Sequence, residues 1–326
     1  MHKPVSGRVV STDEALVLGI DIGGTAIKAG IVGAGGELVN CFHGPSPRSA
    51  AALHDFVQSI LVSSEHSLHG IGVGCKGIIN PDSTCVECLP GDLHFLEGHC
   101  LSKVIAEESL PVCADNDART ALIAEVLWGA ARGRRNVVML TLGTGVGGAV
   151  LVDGAILRGA AGAAGHLGHV TVDTRGELCI CGSYGCLETV FSSRAIESAY
   201  WSHLHRAAPT TLCADESGHL PDTEAIFHAA AAGDECARYV VDRAGEHLTA
   251  ALVSFLHTFD PEILILGGNI AAAGPALLAP LKEKIARRTK TMLRREVPII
   301  FQKTIGYGGV AGAAGLVFLR QKLLAI

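Results

Sequence analysis

The sequence predicts an α/β fold built from two similar halves. Three observations carry this. Apolar, strand-length runs alternate with helix-period segments along the chain. One strand–glycine turn–strand arrangement occurs twice. Glycine accounts for 40 of 326 residues with no Gly-X-Y period, so it belongs to turns and close backbone approaches.

The elements follow in order. Leu16–Ile20 is an apolar run ending in Asp21-Ile22-Gly23-Gly24-Thr25, and Ala26–Val32 returns as a strand closed by the Gly33–Gly36 turn. Ala50–Ser63 reads as a helix with Leu53, Phe56, Val57, Ile60 and Leu61 on one face. Gly70–Val73 is a short buried strand, Cys100–Glu108 a helix and Leu110–Ala114 a strand. Ala118–Gly129 is a long helix, and Asn136–Leu142 is as apolar as a central sheet strand. Late in the chain, Leu264–Leu266 enters a Gly267-Gly268-Asn269 turn, and Gly308–Leu323 reads as a final helix. Leu18–Thr25 and Val138–Gly145 share one grammar: a strand, a glycine turn bearing a hydroxyl, and a returning strand. That echo predicts two halves facing each other across a cleft.

Composition excludes several classes. With 48% hydrophobic and only 18% charged residues, the chain is no disordered polyelectrolyte. A formal charge of −6 offers no basic footprint for nucleic acid, and 5% aromatics offer few stacking platforms. Residues 1–14 lack a signal-peptide apolar core and are expected to be an N-terminal extension. The longest uncharged run, Ile263–Leu281, contains Gly267, Gly268, Gly274, Pro275 and Pro280, so it reads as strand, turn and helix start rather than a membrane span. Eleven cysteines, an odd number, fit a reducing, cytoplasmic compartment better than a disulfide scaffold.

Two glycine loops with threonine hydroxyls, Gly23-Gly24-Thr25 and Gly143-Thr144-Gly145, present backbone N–H groups suited to phosphates. No GxxxxGK[ST] occurs. Gly72–Gly77 matches GxGxxG but leads into no helix, and Gly143–Gly148 leads into a strand, so neither is a dinucleotide fingerprint.

Asp115-Asn116-Asp117 follows an apolar strand and precedes a helix. Carboxylates there sit where open α/β sheets bind ligands, and a helix N-terminus favours the anion. The alternative is a plain N-cap. His169-x9-Cys179-x-Cys181-x4-Cys186 offers three sulfurs and one nitrogen within eighteen residues. Such a set closes a tetrahedral, structural Zn²⁺ site. Cys85, Cys88 and Cys100 with His94 and His99 invite a second metal, but free thiols are the expectation for that group. His203, His205, His228 and His257 read as surface or helix-face residues.

Four motifs in this order resemble the ROK family of sugar kinases: Asp21–Thr25, Asn116-Asp117-Ala118, Leu142–Gly148 and Cys179–Glu188. The resemblance covers roughly residues 16 to 320. It implies an actin-like, hexokinase-like ATPase fold of two domains with a cleft between them. The implied division is residues 15–118 with 304–326 as the smaller domain, and 119–303 as the larger one with the zinc. It implies ATP-dependent phosphorylation of a hexose, here read as glucose to glucose 6-phosphate, with an N-acetylhexosamine kinase or a non-catalytic sugar-binding regulator as alternatives. Asp117 is then the general base. Asn116, Asp117, His166, His169, Glu188 and Gly77 touch the sugar. Asp21, Gly23, Gly24, Thr25, Gly143, Thr144, Gly145, Gly267 and Gly268 hold the nucleotide, with Asp21 near Mg²⁺ through water. The family is often homodimeric. Two departures stand out. Relatives carry a sugar-binding glutamate where this chain has His166, and a proline or threonine close to Gly77, where this chain reads Cys75-Lys76.

Overall fold

In a computed structural model the described residues are 15–105, 110–204, 210–212, 220–273, 275–304 and 306–326. The N-terminal extension over 1–14, Gly274, His205 and the end of the helix expected to reach Glu108 lie outside them. The strands are β1 (Leu16–Ile22), β2 (Ala26–Gly33), β3 (Leu38–Pro45), β4 (Leu68–Cys75), β5 (Ile78–Ile79), β6 (Val86–Cys88), β7 (Val112–Asn116), β8 (Val137–Leu142), β9 (Val146–Val152), β10 (Ala155–Ile156), β11 (Ile263–Gly267) and β12 (Ile299–Phe301). The helices are α1 (Ala50–Ser63), α2 (Leu101–Ile105), α3 (Asp117–Leu127), α4 (Glu188–Phe191), α5 (Ser193–Leu204), α6 (Thr223–Ala232), α7 (Glu235–Phe259), α8 (Pro275–Thr289) and α9 (Gly308–Arg320).

The chain divides into two compact units. One runs up to Arg135 and adds Asp153–Gly165 and Lys303–Ile326; the other holds Asn136–Val152 and His166–Gln302. The boundary drawn from the sequence at 118/119 would separate α3 from its partners. In the structure α3 packs against α9 inside the first unit.

The first sheet runs β3-β2-β1-β4-β7, with β1 antiparallel to β2 and parallel to β4, and β4 parallel to β7. On one face Leu18, Ile20, Ile22, Ile71 and Val73 bury against Leu53, Val57 and Ile60 of α1, whose first turn is capped by Ser49. On the other face lies α9, a helix of small residues buried from Val310 to Phe318. It approaches the sheet backbone to backbone. A Cβ at Gly72 would lie 1.8 Å from the Ala313 carbonyl oxygen, and one at Gly19 would lie 2.1 Å from that of Val310. Only glycine permits this contact.

The four strands Asn136–Val152 and Ile263–Phe301 contribute repeat that plan. Their order is β9-β8-β11-β12, with β8 antiparallel to β9 and parallel to β11, and β11 parallel to β12. The echo read from the two glycine motifs is therefore an echo of strand order, β2-β1-β4-β7 matching β9-β8-β11-β12. The long α7 starts at Asp234, whose carboxylate accepts the Ala237 N–H at 2.8 Å. The uncharged run Ile263–Leu281 resolves into β11, a short turn of 3₁₀ helix and the start of α8. Among the described residues no helix is long and apolar enough to cross a membrane.

One cysteine expectation is corrected. Cys85 and Cys100 are joined by a disulfide rather than being free thiols. They sit opposite each other in an antiparallel bridge, which places their side chains side by side. Cys88 is an exposed thiol. His94 and His99 both turn toward Glu97, at 3.6 Å from its carboxylate and 3.2 Å from its carbonyl oxygen.

Candidate active site

The parallel strands β1, β4 and β7 end together. Asp21 pairs with Gly74 and Gly74 with Asp115; Ile22 pairs with Cys75 and Cys75 with Asn116. Their carboxyl ends thus gather Asp21, Lys76 and Asp117 with the first glycine turn, at the position where α/β sheets bind ligands.

Asn116 turns the strand into α3. Its Oδ1 accepts the Ala118 N–H at 3.0 Å, and its Nδ2 donates to the Gly77 carbonyl oxygen at 3.1 Å. The cap considered from sequence is therefore chiefly the asparagine. Asp117 Oδ1 shares the same N–H at 2.9 Å. Burial pushes the Asp117 carboxyl up, opposed by that N–H and by the charge of Lys76. Asp21 is raised to about 6, first by burial and then by repulsion from Asp117, with Lys28 pulling the other way. Two half-buried carboxylates, one raising the other, are well placed for proton transfer and for a cation.

Several residues here were not singled out from sequence. Arg119, on the first turn of α3, is 1% exposed. Its Nη1 binds Asp115 Oδ1 at 2.8 Å, and its Nη2 binds the carbonyl oxygens of Gly162 and Ala164 at 2.6 Å each. Arg158 Nε completes the pair on Asp115 Oδ2 at 2.9 Å. This cluster ties the Gly/Ala-rich segment before His166 to the helix that carries Asp117. Further along α3, the buried Glu125 accepts the N–H groups of Lys303 and Thr304 at 3.0 and 2.7 Å. An arginine and a glutamate inside an otherwise apolar helix were the available signal, since such charges are buried only when paired.

In the second unit, Gly143–Gly145 closes the turn between β8 and β9, with the Gly143 N–H on the Gly145 carbonyl oxygen at 3.0 Å. Glu188, at the start of α4, accepts the Val146 N–H at 2.9 Å through Oε2, so this carboxylate lies against the glycine turn. Gly267 pairs with Thr141, and Gly268 (φ +85°) follows so close to Leu142 that a Cβ would meet its backbone at 2.3 Å. The second and third glycine turns are therefore neighbours.

His166 heads the 3₁₀ turn Leu167–His169 and stacks on His169, with ring centroids 6.3 Å apart. His169, Cys179, Cys181 and Cys186 bring one ligand atom each within 4.8 Å of one another. Cys179 Sγ stands 3.5 Å from His169 Nδ1, and Cys181 Sγ stands 3.5 Å from Cys186 Sγ. Ligands about 2.3 Å from a tetrahedral zinc would stand about 3.8 Å apart, so the donor set fits the ion. Burial and the neighbouring thiols push Cys186 up to about 12, and a bound cation is what would hold it as thiolate.

The sequence profile of the ROK family matches residues 17–320. The chain belongs to the ROK family. Among other members, a glucokinase of Thermotoga maritima is 30% identical over 92% of this chain and 96% of its own. An N-acetylmannosamine kinase of Shigella flexneri is 32% identical over 79% of this chain and 84% of its own. The solved structure of a ROK glucokinase of Streptomyces griseus, in complex with glucose and AMPPNP, superposes with a TM-score of 0.78 at 29% identity, covering 93% of this chain and 99% of that one. The actin-like expectation for the fold agrees with these likenesses.

Proposed function

We propose that the protein is an ATP-dependent hexose kinase acting first on glucose, with glucose 6-phosphate as product. The observation that carries this is the pairing of a half-buried Asp117 at a helix N-terminus with the Asp21–Thr25 glycine turn on parallel strands of one sheet. Phosphoryl transfer needs a base for the acceptor hydroxyl and a cradle for phosphate, and little else of the protein. The likeness to glucokinases supports the same reading.

In this reading Asp117 accepts the hydroxyl proton, and Asn116, Gly77, His166, His169 and Glu188 hold the sugar. Asp21, Gly23, Gly24, Thr25, Gly143, Thr144, Gly145, Gly267 and Gly268 hold ATP with Mg²⁺. A structural Zn²⁺ on His169, Cys179, Cys181 and Cys186 fixes the segment that leads to Glu188. The protein works in the cytoplasm as a homodimer, on small molecules, without nucleic acid or membrane.

An ADP-release assay over a panel of sugars tests the reading. Turnover should be fastest with glucose; no ADP with any sugar would instead favour a sugar-binding regulator. His166 favours a second reading, an N-acetylhexosamine kinase, because imidazole both donates and accepts where a glutamate only accepts. Preference for N-acetylmannosamine, moved toward glucose by His166→Glu, would support it. A ranking unchanged in His166→Glu and His166→Ala removes His166 from the site.

A further inference from the structure

Two lysines lend charge to the carboxylates beside the first glycine turn, and they differ. Lys28 is exposed and occupied: its Nζ donates to the Gly306 carbonyl oxygen at 3.2 Å and lies 5.8 Å from the Tyr307 ring centroid. Lys76 follows the carboxyl end of β4 and is half-buried. Among the described residues it makes no hydrogen bond and no ion pair. Its Nζ lies 3.9 Å from where a Cβ on Gly24 would stand and 3.6 Å from the corresponding point on Gly91. A Cβ at either point would be in ordinary contact with the ammonium, so both glycine backbones border it. The carboxylate of Asp92 also flanks Gly24, at 3.3 Å by the same measure, but Asp92 is exposed and its charge is shared with water. A half-buried cation beside the glycine turn, with no hydrogen bond or ion pair among the described residues, has its donors available to an anion.

We propose that Lys76 is a catalytic residue of phosphoryl transfer, its ammonium meeting the transferring group at the Gly23–Gly24 turn. This rests on the kinase reading above. In the step, the sugar oxygen forms its bond to the γ-phosphorus while the bond from that phosphorus to the β-bridging oxygen breaks. The electron pair leaves with ADP, and the hydroxyl proton passes to Asp117. Lys76 stays protonated throughout and supplies charge alone. Negative charge on the oxygens of the transferring group and on the leaving oxygen is what it stabilises, and a fixed cation there is worth most at the transition state. The same charge favours the ionised form of Asp117, so one side chain serves both ends of the transfer.

The test compares the parent protein with Lys76→Met, Lys76→Thr and Lys76→Arg. Both uncharged variants should lose about 10²-fold in kcat, the scale of removing one fixed transition-state donor, and Lys76→Arg should recover part of it. Affinity for MgADP with aluminium fluoride and sugar should fall by a similar factor. Affinities for MgADP alone and for sugar alone should stay within about threefold. Three results overturn the assignment: kcat within threefold of the parent in the uncharged variants, equal loss for MgADP and its fluoride complex, or loss confined to sugar. A parent protein that turns over no sugar overturns the kinase reading itself, and the inference with it. A parent that turns over beside fully active Lys76 variants overturns the lysine alone.

Discussion

The β1–β2 turn and the β8–β9 turn are built on the same strand order, yet they are surrounded by opposite chemistry. Around the first stand Asp21, Lys76 and Asp117, at the ends of parallel strands, with Asp92 beside Gly24 from a separate turn. Around the second stand glycine backbones and the carboxylate of Glu188, which lies two residues past Cys186 and accepts the Val146 N–H. One plan thus carries two kinds of surroundings. Neighbouring segments, not the hairpin itself, decide which chemistry surrounds a glycine turn.

The sharpest way to break that comparison is to remove the carboxylate from the first side. Asp117→Asn keeps size and hydrogen bonding but accepts no proton, so kcat should drop on the order of 10²-fold or more while sugar binding persists. Steady-state turnover with equilibrium sugar binding checks this; turnover within a few-fold of the parent would falsify the base assignment. On the second side the loss should fall on binding. Elemental analysis should find one zinc per chain, and Cys181→Ser should release it and weaken sugar affinity about tenfold, the lower end of losses at metal sites. Metal-free protein with full sugar affinity would show that the cysteine segment holds nothing relevant to sugar.

A smaller effect comes from pH. Asp21 is raised to about 6, first by burial and then by the charge of Asp117. The anions are the working forms, and kcat/KM should fall as pH drops through about 6. Stability runs the other way. A carboxyl whose folded pKa is raised binds its proton more tightly when folded, so its contribution is fully present below its unfolded value of 3.8 and is lost as pH rises through about 6. In Asp21→Asn the ligand-free protein should lose that slope; an unchanged melting profile from pH 4 to 7 removes Asp21 as its source. The smallest effect is purely structural and should be blind to chemistry. Asp234→Ala removes the α7 cap and its bond to Thr210, costing about 1–2 kcal/mol in denaturant unfolding with kcat unaltered.

What was legible in the sequence was local. The glycine turns, the Asn116 turn into α3 and the cysteine spacing are each set within a few residues, so residue type and interval reveal them. Ala50–Ser63 is capped by Ser49 and buries Leu53, Val57 and Ile60 on one face, so its bounds could be read directly. The unread features depend on distance along the chain. Arg119 finds its acceptors 43 and 45 residues away, and Glu125 finds Lys303 178 residues away. No local pattern states those pairings. Lys76 was passed over because its meaning lies in its approach to Gly24 and Gly91, which no local pattern states. The Cys85–Cys100 pairing was missed for a similar reason, since a β-bridge rather than a spacing rule joins them.

The seating of α9 on Gly19 and Gly72 has a consequence for how the protein is made. One face of the first sheet is finished by a helix that leaves the ribosome after everything in the second unit. The 180 residues between Leu127 and Gly308 take on the order of 10–40 s to synthesise at ~5–20 residues per second. Through that interval the nascent sheet carries a bare glycine-lined groove that no earlier segment can fill as closely. Birth order therefore leaves one face of the oldest sheet to be covered last.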